Sequence, residues 1–453
     1  MSRRLLVSFF SALFVAAALL LAPGCASKPA APAPKPTPPA PVTPPPAPKP
    51  PEPEPEILPP VMLGIDVLEA DGFKAIAGKK LGLLTHAAGV NRRGESTINV
   101  LRRVPGAKLI CLFAPENGLE GTTKSATHFD DTIHGPTGLP LYSLYGKNKR
   151  PTPAQLKNID ALVVDLQDIG SRSYTFISWM RYAMEACFEA NVEIIILDRP
   201  NPLGGLKVDG PPLDQEWMSD VGAFRVPYVH GLTMGELARM AKDAPGVLAL
   251  TERVRAAGKL TVIPMRGWTR KMRWPDTGLK WVPTSPMIPD FNAAVGYAMV
   301  GLGCEQSQWR SGIGTFYPFR GISYPKKTPE QIIAELGQYK IPGINLVKAQ
   351  GIARDTNVIN GVYVDVDDWE AWHPTELSFY MMKSAAKWDP TTYAKLVTGK
   401  PETRTFLIHV GSGAWLTALR RDGARVDVAS FLKNWRERAA IYQERSKKYW
   451  LYQ

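Results

Sequence analysis

The sequence predicts an α/β fold, and two observations carry that prediction. Short apolar runs bounded by turn residues recur at Lys80 to His86 (KLGLLTH), Leu109 to Phe113 (LICLF), Ala161 to Gln167 (ALVVDLQ) and Glu193 to Asp198 (EIIILD). Runs of this length without strict alternation fit strands buried on both faces. Stretches with helical spacing lie between them, at Ser96 to Arg103 and Tyr174 to Ala190. Strand, helix, strand in alternation builds a parallel, doubly wound sheet with right-handed crossovers. No run is followed by Gly-x-Gly-x-x-Gly, so a dinucleotide site is not supported and no cofactor is expected.

The chain ahead of this pattern is of another kind. Arg3 and Arg4, an apolar stretch from Leu5 to Leu21 and then Ala22-Pro23-Gly24-Cys25 read as an export signal. Its end resembles a bacterial lipoprotein signal over residues 1–25, with Cys25 as the lipidated residue; a plain cleaved signal is the alternative. Ala26 and Ser27 carry no Asp retention signal, which points to the periplasmic face of an outer membrane and to a lipid-mediated membrane partner. From Pro29 to Pro60, 17 of 32 residues are proline, so residues 26–60 are expected to be an extended spacer. At about 3.1 Å per residue it reaches roughly 100 Å or less, far enough for a target beyond the lipid.

Residues 61–453 are long enough for two domains with substantial cores. The net charge of the chain is +12, and residues 1–60 hold five Lys/Arg and three Glu, so the folded part keeps about ten of those charges. An exported protein meets little nucleic acid, which leaves anionic wall polymer, a membrane surface or simple solvation as readings of the basic balance. With Cys25 assigned to lipid, Cys111, Cys187 and Cys304 remain, and three cannot all pair within one chain. Cys111 and Cys187 sit in apolar patterns and read as buried thiols. The six histidines, His128 and His134 among them, show no zinc spacing, and no metal site is expected.

The four strand exits are polar: Thr85-His86, Glu116-Asn117, Gln167-Asp168 with Arg172 and Tyr174, and Asp198-Arg199-Pro200-Asn201. If the strands are parallel, these clusters meet on one rim, where ligands gather in such sheets. Each exit taken alone reads equally as helix capping. Together, carboxylate, amide, guanidinium and phenol suit a ligand covered with hydroxyls. Tyr142 and Tyr145 either line that rim or pack in a loop. Downstream, Thr233 and Glu236 have capping-box spacing, which leaves His230 unexplained. Trp268, Trp274 and Trp281 lie among Arg266, Arg270, Lys271 and Arg273, as sugar platforms or as interdomain packing. The turn-rich Thr284 to Pro289 marks a boundary, giving domains 61–284 and 285–453, and the second is expected to be a smaller α+β unit. Helical spacing covers Glu330 to Leu336, Pro374 to Lys387 and Val428 to Tyr449, alternation covers Asn360 to Val366, and the aromatic end Tyr449 to Tyr452 is expected to dock on the body.

The stretches Phe113 to Gly118, Tyr142 to Gly146, Asp165 to Thr175, Asp198 to Gly205 and His230 to Leu237 combine into a pattern that resembles the exo-β-N-acetylmuramidase (NamZ) family of glycoside hydrolases, over nearly all of Gly64 to Gln453. The resemblance implies a Rossmann-like N-terminal domain, a smaller C-terminal α/β domain and a cleft between them. It implies removal of terminal N-acetylmuramic acid from the non-reducing end of peptidoglycan fragments such as muropeptides and muramyl disaccharide. Members commonly read Pro-Glu-His-Gly where this chain has Asn117, and this chain has Ser311 and Ile313 where a second glutamate and an arginine are common.

Glycosidic cleavage needs one carboxyl group to protonate the leaving oxygen and a second to activate water or attack carbon. Glu116 and Glu305 are the expected pair, with Asp168 in reserve. Arg172 and Lys124 are candidates for the lactyl carboxylate, and Asn117, Gln167, Tyr174, Asn201 and His230 for sugar hydroxyls and the acetamide. The alternative is a muropeptide-binding lipoprotein with the same cleft and weakened catalysis. No Gly-x-Ser-x-Gly elbow supports a serine esterase.

Overall fold

The computed structural model describes residues 60–124, 127–349 and 360–453; the export signal, Cys25 and the spacer lie outside the described residues. In chain order the strands are β1 (Lys80–Thr85), β2 (Lys108–Ala114), β3 (Thr132–His134), β4 (Leu139–Ser143), β5 (Ala161–Asp165), β6 (Glu193–Leu197), β7 (Asp209–Pro212), β8 (Pro227–Val229), β9 (Leu260–Ile263), β10 (Gly321–Ile322), β11 (Ile344–Ala349) and β12 (Gly361–Val366). Seven form one sheet in the order β3-β4-β2-β1-β5-β6-β9. Every pairing in it is parallel except β3 with β4. The expected parallel sheet is present, and the stretch around Tyr142, expected to line the rim or pack in a loop, is strand β4, held between β2 and the antiparallel edge strand β3.

Alternate residues of each central strand feed opposite layers. In β5, Leu162 and Val164 enter one buried cluster while Ala161 and Val163 enter the other. In β2, Phe113 and Leu112 divide in the same way. This explains why the runs are apolar at every position instead of at every second one. The larger cluster continues from the sheet through Trp179 and Phe224 to Trp415 and Trp435, so the C-terminal elements share a core with one face of the sheet. Those elements include the three-stranded antiparallel sheet β10-β12-β11 and the helices Phe291–Val300, Pro329–Gly337, Glu376–Trp388, Pro401–Val410 and Val428–Ser446. The expected patterns after Glu330 are all there with shifted ends; the helices Phe291–Val300 and Pro401–Val410 are additions.

Capping fixes where the helices start. Ser96 accepts from the Asn99 amide, and Thr233 and Glu236 exchange both bonds of a capping box. Asp198, read as part of a polar rim, is fully buried: it accepts from the Gly235 amide at 2.8 Å and the Thr233 hydroxyl at 2.7 Å. Asp165 is likewise taken up by Arg199, with bonds of 2.5 and 2.9 Å, and by Thr97. These two carboxylates are structural.

The aromatic end docks as expected. Tyr452 donates to Asp198 at 2.6 Å and accepts from the Met265 amide at 2.9 Å, and its ring meets Trp268 edge-on. Trp450 covers the Arg270 guanidinium at 3.8 Å, while Arg270 pairs with the buried Glu236 at 2.6 Å. Trp268 and Trp274 are buried here, which corrects the sugar-platform reading of that stretch to packing. Tyr452→Phe removes both bonds from a buried carboxylate and a buried amide. It is expected to cost about 1–3 kcal/mol in urea unfolding followed by tryptophan fluorescence, whereas an unmoved midpoint would show the docked tail to be idle.

Candidate active site

The turn after β2 places the first carboxylate. Asn117 and Gly118 follow one another at φ +71° and +74°, a region that asparagine and glycine tolerate best. The Asn117 side-chain amide donates to the Thr123 carbonyl at 3.0 Å, and the Thr123 amide donates back to the Asn117 carbonyl at 3.1 Å, which locks the turn. Glu116 stands half-buried at its tip and accepts from the Thr175 hydroxyl at 3.2 Å. The Tyr145 phenol is held above its usual range by burial first and by the Glu116 carboxylate next.

The segment after β5 supplies the second wall, nearly residue by residue. The Gln167 amide nitrogen of the backbone donates to His86 Nε2 at 3.0 Å, and its side chain donates to the Asp168 and Pro200 carbonyls at 2.8 and 2.9 Å. Burial and the nearby Arg199 push His86 down to about 3, so it is neutral. Asp168 Oδ2 accepts from the Gly170 amide at 2.8 Å and lies 3.2 Å from His230 Nε2. Since His230 Nδ1 accepts from the Leu232 amide, the ring carries its proton on Nε2 and donates it to Asp168.

Arg172 is fully buried. It donates to the Pro211 and Val226 carbonyls at 2.7 and 2.9 Å and, across the chain, to the His409 and Val410 carbonyls at 3.1 and 3.0 Å. The last two end the helix Pro401–Val410, where a cation meets the negative pole of the helix. Gly411 closes that helix at φ +84°, and a Cβ there would lie 2.5 Å from the Arg172 guanidinium. The position needs glycine on both counts. Burial lowers Arg172 to about 10, which still leaves it charged at neutral pH.

Ser173 accepts or donates to two phenols, Tyr228 at 2.9 Å and Tyr297 at 3.0 Å. Tyr297 comes from the helix Phe291–Val300, whose start is capped by Asp290. Its phenol is pushed up to about 12, by burial first and then by both Glu305 and Glu116. One hydroxyl therefore feels both expected carboxylates. Glu305 follows the short turn Leu302–Cys304 after the same helix, and burial raises its pKa against the opposing effect of His409, whose Nδ1 lies 3.8 Å away. A glutamate held above the usual range stays protonated longer, as a general acid must.

The profile described as exo-β-N-acetylmuramidase NamZ, N-terminal, matches residues 81–292, and its C-terminal counterpart matches 295–452. This chain belongs to the NamZ family. It is 34% identical to the peptidoglycan β-N-acetylmuramidase NamZ of Bacillus subtilis (strain 168) over 398 residues, 87% of this chain and 92% of that protein. Two crystal structures of DUF1343 family proteins from Bacteroides fragilis NCTC 9343 are similar in fold. One has a TM-score of 0.76 at 34% identity and the other 0.64 at 26%, each covering 87% of this chain and 99% of its own.

Within this NamZ chain, the Glu305 and Glu116 carboxylates both act on the Tyr297 phenol, and Tyr174 packs on the same ring with centroids 6.2 Å apart. Asp168 stands beside Tyr174 with His230. Lys124 is exposed on the following loop. Arg172, expected on the lactyl carboxylate, and Asn201, expected on sugar hydroxyls or the acetamide, are engaged within the protein instead: Asn201 is buried, donates to the Leu232 carbonyl at 3.0 Å and accepts from the Leu203 amide at 3.0 Å, and Arg172 spends both terminal nitrogens on carbonyls. The Gln167 side-chain nitrogen is spent on two backbone carbonyls in the same way. Tyr297, Tyr228 and His409 carry no signal in the sequence that singles them out, and Ser173 and Thr175 stand out only as members of the stretch Asp165 to Thr175. Of the family departures, Ser311 accepts from the Phe319 amide through its carbonyl, Phe319 packs on Tyr297 at 5.1 Å, and Ile313 is exposed.

Arg172→Ala leaves four carbonyls unpaired and is expected to cost about 3–5 kcal/mol, which in a folded part of this size lowers the melting temperature by about 4–6 °C. A raised KM at an unchanged melting temperature would instead mark it as a substrate contact.

Proposed function

We propose that this chain is an exo-acting glycoside hydrolase that releases terminal N-acetylmuramic acid from the non-reducing end of peptidoglycan fragments. The observation that carries the reading is that one phenol, Tyr297, is raised by burial and by both the Glu305 and the Glu116 carboxylates. Family membership supplies the substrate class, since the Bacillus subtilis relative is a peptidoglycan β-N-acetylmuramidase. Glu305, raised by burial, is the acid that protonates the leaving oxygen. Glu116, braced by Thr175, serves as the partner that activates water or attacks the anomeric carbon. Neither role calls on a cofactor.

The two roles separate by leaving group. A nitrophenyl glycoside departs without protonation, whereas the natural disaccharide does not. Glu305→Gln is therefore expected to slow the disaccharide by about 10² to 10⁴ and the nitrophenyl substrate far less, while Glu116→Gln slows both. With Glu305 protonated in the active form, kcat/KM on the disaccharide falls as pH rises through its raised pKa, and that alkaline limb disappears in Glu305→Gln. Equal, small effects of both substitutions on both substrates would remove the pair from catalysis. Tight disaccharide binding without turnover in the unaltered protein would support the muropeptide-binding alternative, to which Ser311 and Ile313 give some weight.

The proposed setting is the periplasmic face of an outer membrane, with lipid on Cys25, residues 26–60 as a spacer and segments 61–284 and 285–453 as the working domains. Cys25→Ser is expected to move the protein from the membrane pellet to the soluble periplasmic fraction; an unchanged pellet would contradict the anchor.

A further inference from the structure

A groove of about 760 Å³ lies between the helix Val428–Ser446, the β7–β8 region and the loop around Gly246. It shares no lining residue with the two carboxylates. Arg438, Ile441, Tyr442 and Arg445 recur at helical spacing and form one stripe along it, and Arg225 faces them from the far wall. Among the described residues neither Arg438 nor Arg445 has a carboxylate partner, and Arg225 reaches only the Gln215 side chain at 3.5 Å. Lys448, at the end of the groove, is already neutralised by Asp243 at 3.1 Å. Ile441 is 53% exposed although it is a large apolar residue at the centre of the stripe. The groove therefore combines three uncompensated guanidinium groups with an apolar and aromatic lining.

We infer that this groove is a second, non-catalytic binding site for an anionic glycopeptide, the uncleaved peptidoglycan strand. Guanidinium forks match carboxylates, which the lactyl-linked peptides of that polymer carry, and the C–H faces of its sugars suit Ile441 and the Tyr442 ring. The charges line a concavity, which admits a chain and not a flat bilayer. The site would hold the protein on its polymer while the exo-acting centre works at chain ends. This inference rests on the proposed substrate class and assigns that substrate a further contact.

Co-sedimentation with insoluble sacculi tests it, using detergent-solubilised full-length Glu116→Gln protein so that the polymer survives. Replacing Arg225, Arg438 and Arg445 together by alanine is expected to weaken retention about tenfold, with the difference vanishing at high salt. In the catalytically intact background the same triple variant is expected to turn over a small chromogenic N-acetylmuramic acid glycoside normally, which also shows that it is folded. Unchanged retention on sacculi would overturn the inference. So would loss of binding confined to vesicles of anionic phospholipid, which would make the groove a lipid site. Should the unaltered protein cut no muramic glycoside, the hydrolase reading fails by itself, while retention on sacculi and its dependence on the three arginines still decide the groove.

Discussion

One buried guanidinium fixes the geometry on which the site depends. Arg172 ties the carbonyls of Pro211 and Val226 to those of His409 and Val410, 237 and 238 positions further along the chain. Burying a charge is costly, and the four carbonyls on its two terminal nitrogens together with a helix C-terminus offset that cost. The clamp sets His409 near Glu305, while the adjacent Ser173 holds Tyr228 and Tyr297 and the next residues, Tyr174 and Thr175, reach the Tyr297 ring and Glu116. Four consecutive side chains of the segment after β5 thus bring together what the sheet and the C-terminal helices contribute separately.

The chemistry follows from unequal surroundings of two like groups. Glu305 sits deep enough for burial to favour its protonated form, and the one opposing influence is His409. Glu116 sits at the tip of an open turn with a hydroxyl donor on it. Between them Tyr297, kept protonated by burial and by both carboxylates, offers a neutral hydroxyl. Asp168 has a different neighbourhood: an amide and a neutral histidine hold it in place, as befits a group that shapes the wall.

Much of the fold could be read from residues alone, because β2 and β5 put apolar side chains on both faces and Thr233 and Glu236 spell a capping box. The helix Phe291–Val300 could not. Its sequence, FNAAVGYAMV, is apolar nearly all round, so no periodicity separates it from a strand, and Tyr297 stayed invisible with it. Polar strand exits were legible as polar but not as to purpose. Asp198 caps a helix and anchors the C-terminal tail, Asp165 holds Arg199, and Glu116 meets the site; the three look alike until the fold supplies their partners. Arg172 shows the same limit, since a guanidinium near a strand end suggests an anion until four carbonyls are seen around it.

On the proposed reading, Glu116 and Glu305 address one sugar linkage from either side of Tyr297. A crystal structure of the Glu305→Gln protein with muramyl disaccharide tests it most directly. The account predicts the glycosidic oxygen within hydrogen-bonding distance of residue 305 and the anomeric carbon facing Glu116. A disaccharide seated elsewhere, with neither side chain touching the linkage, would contradict it.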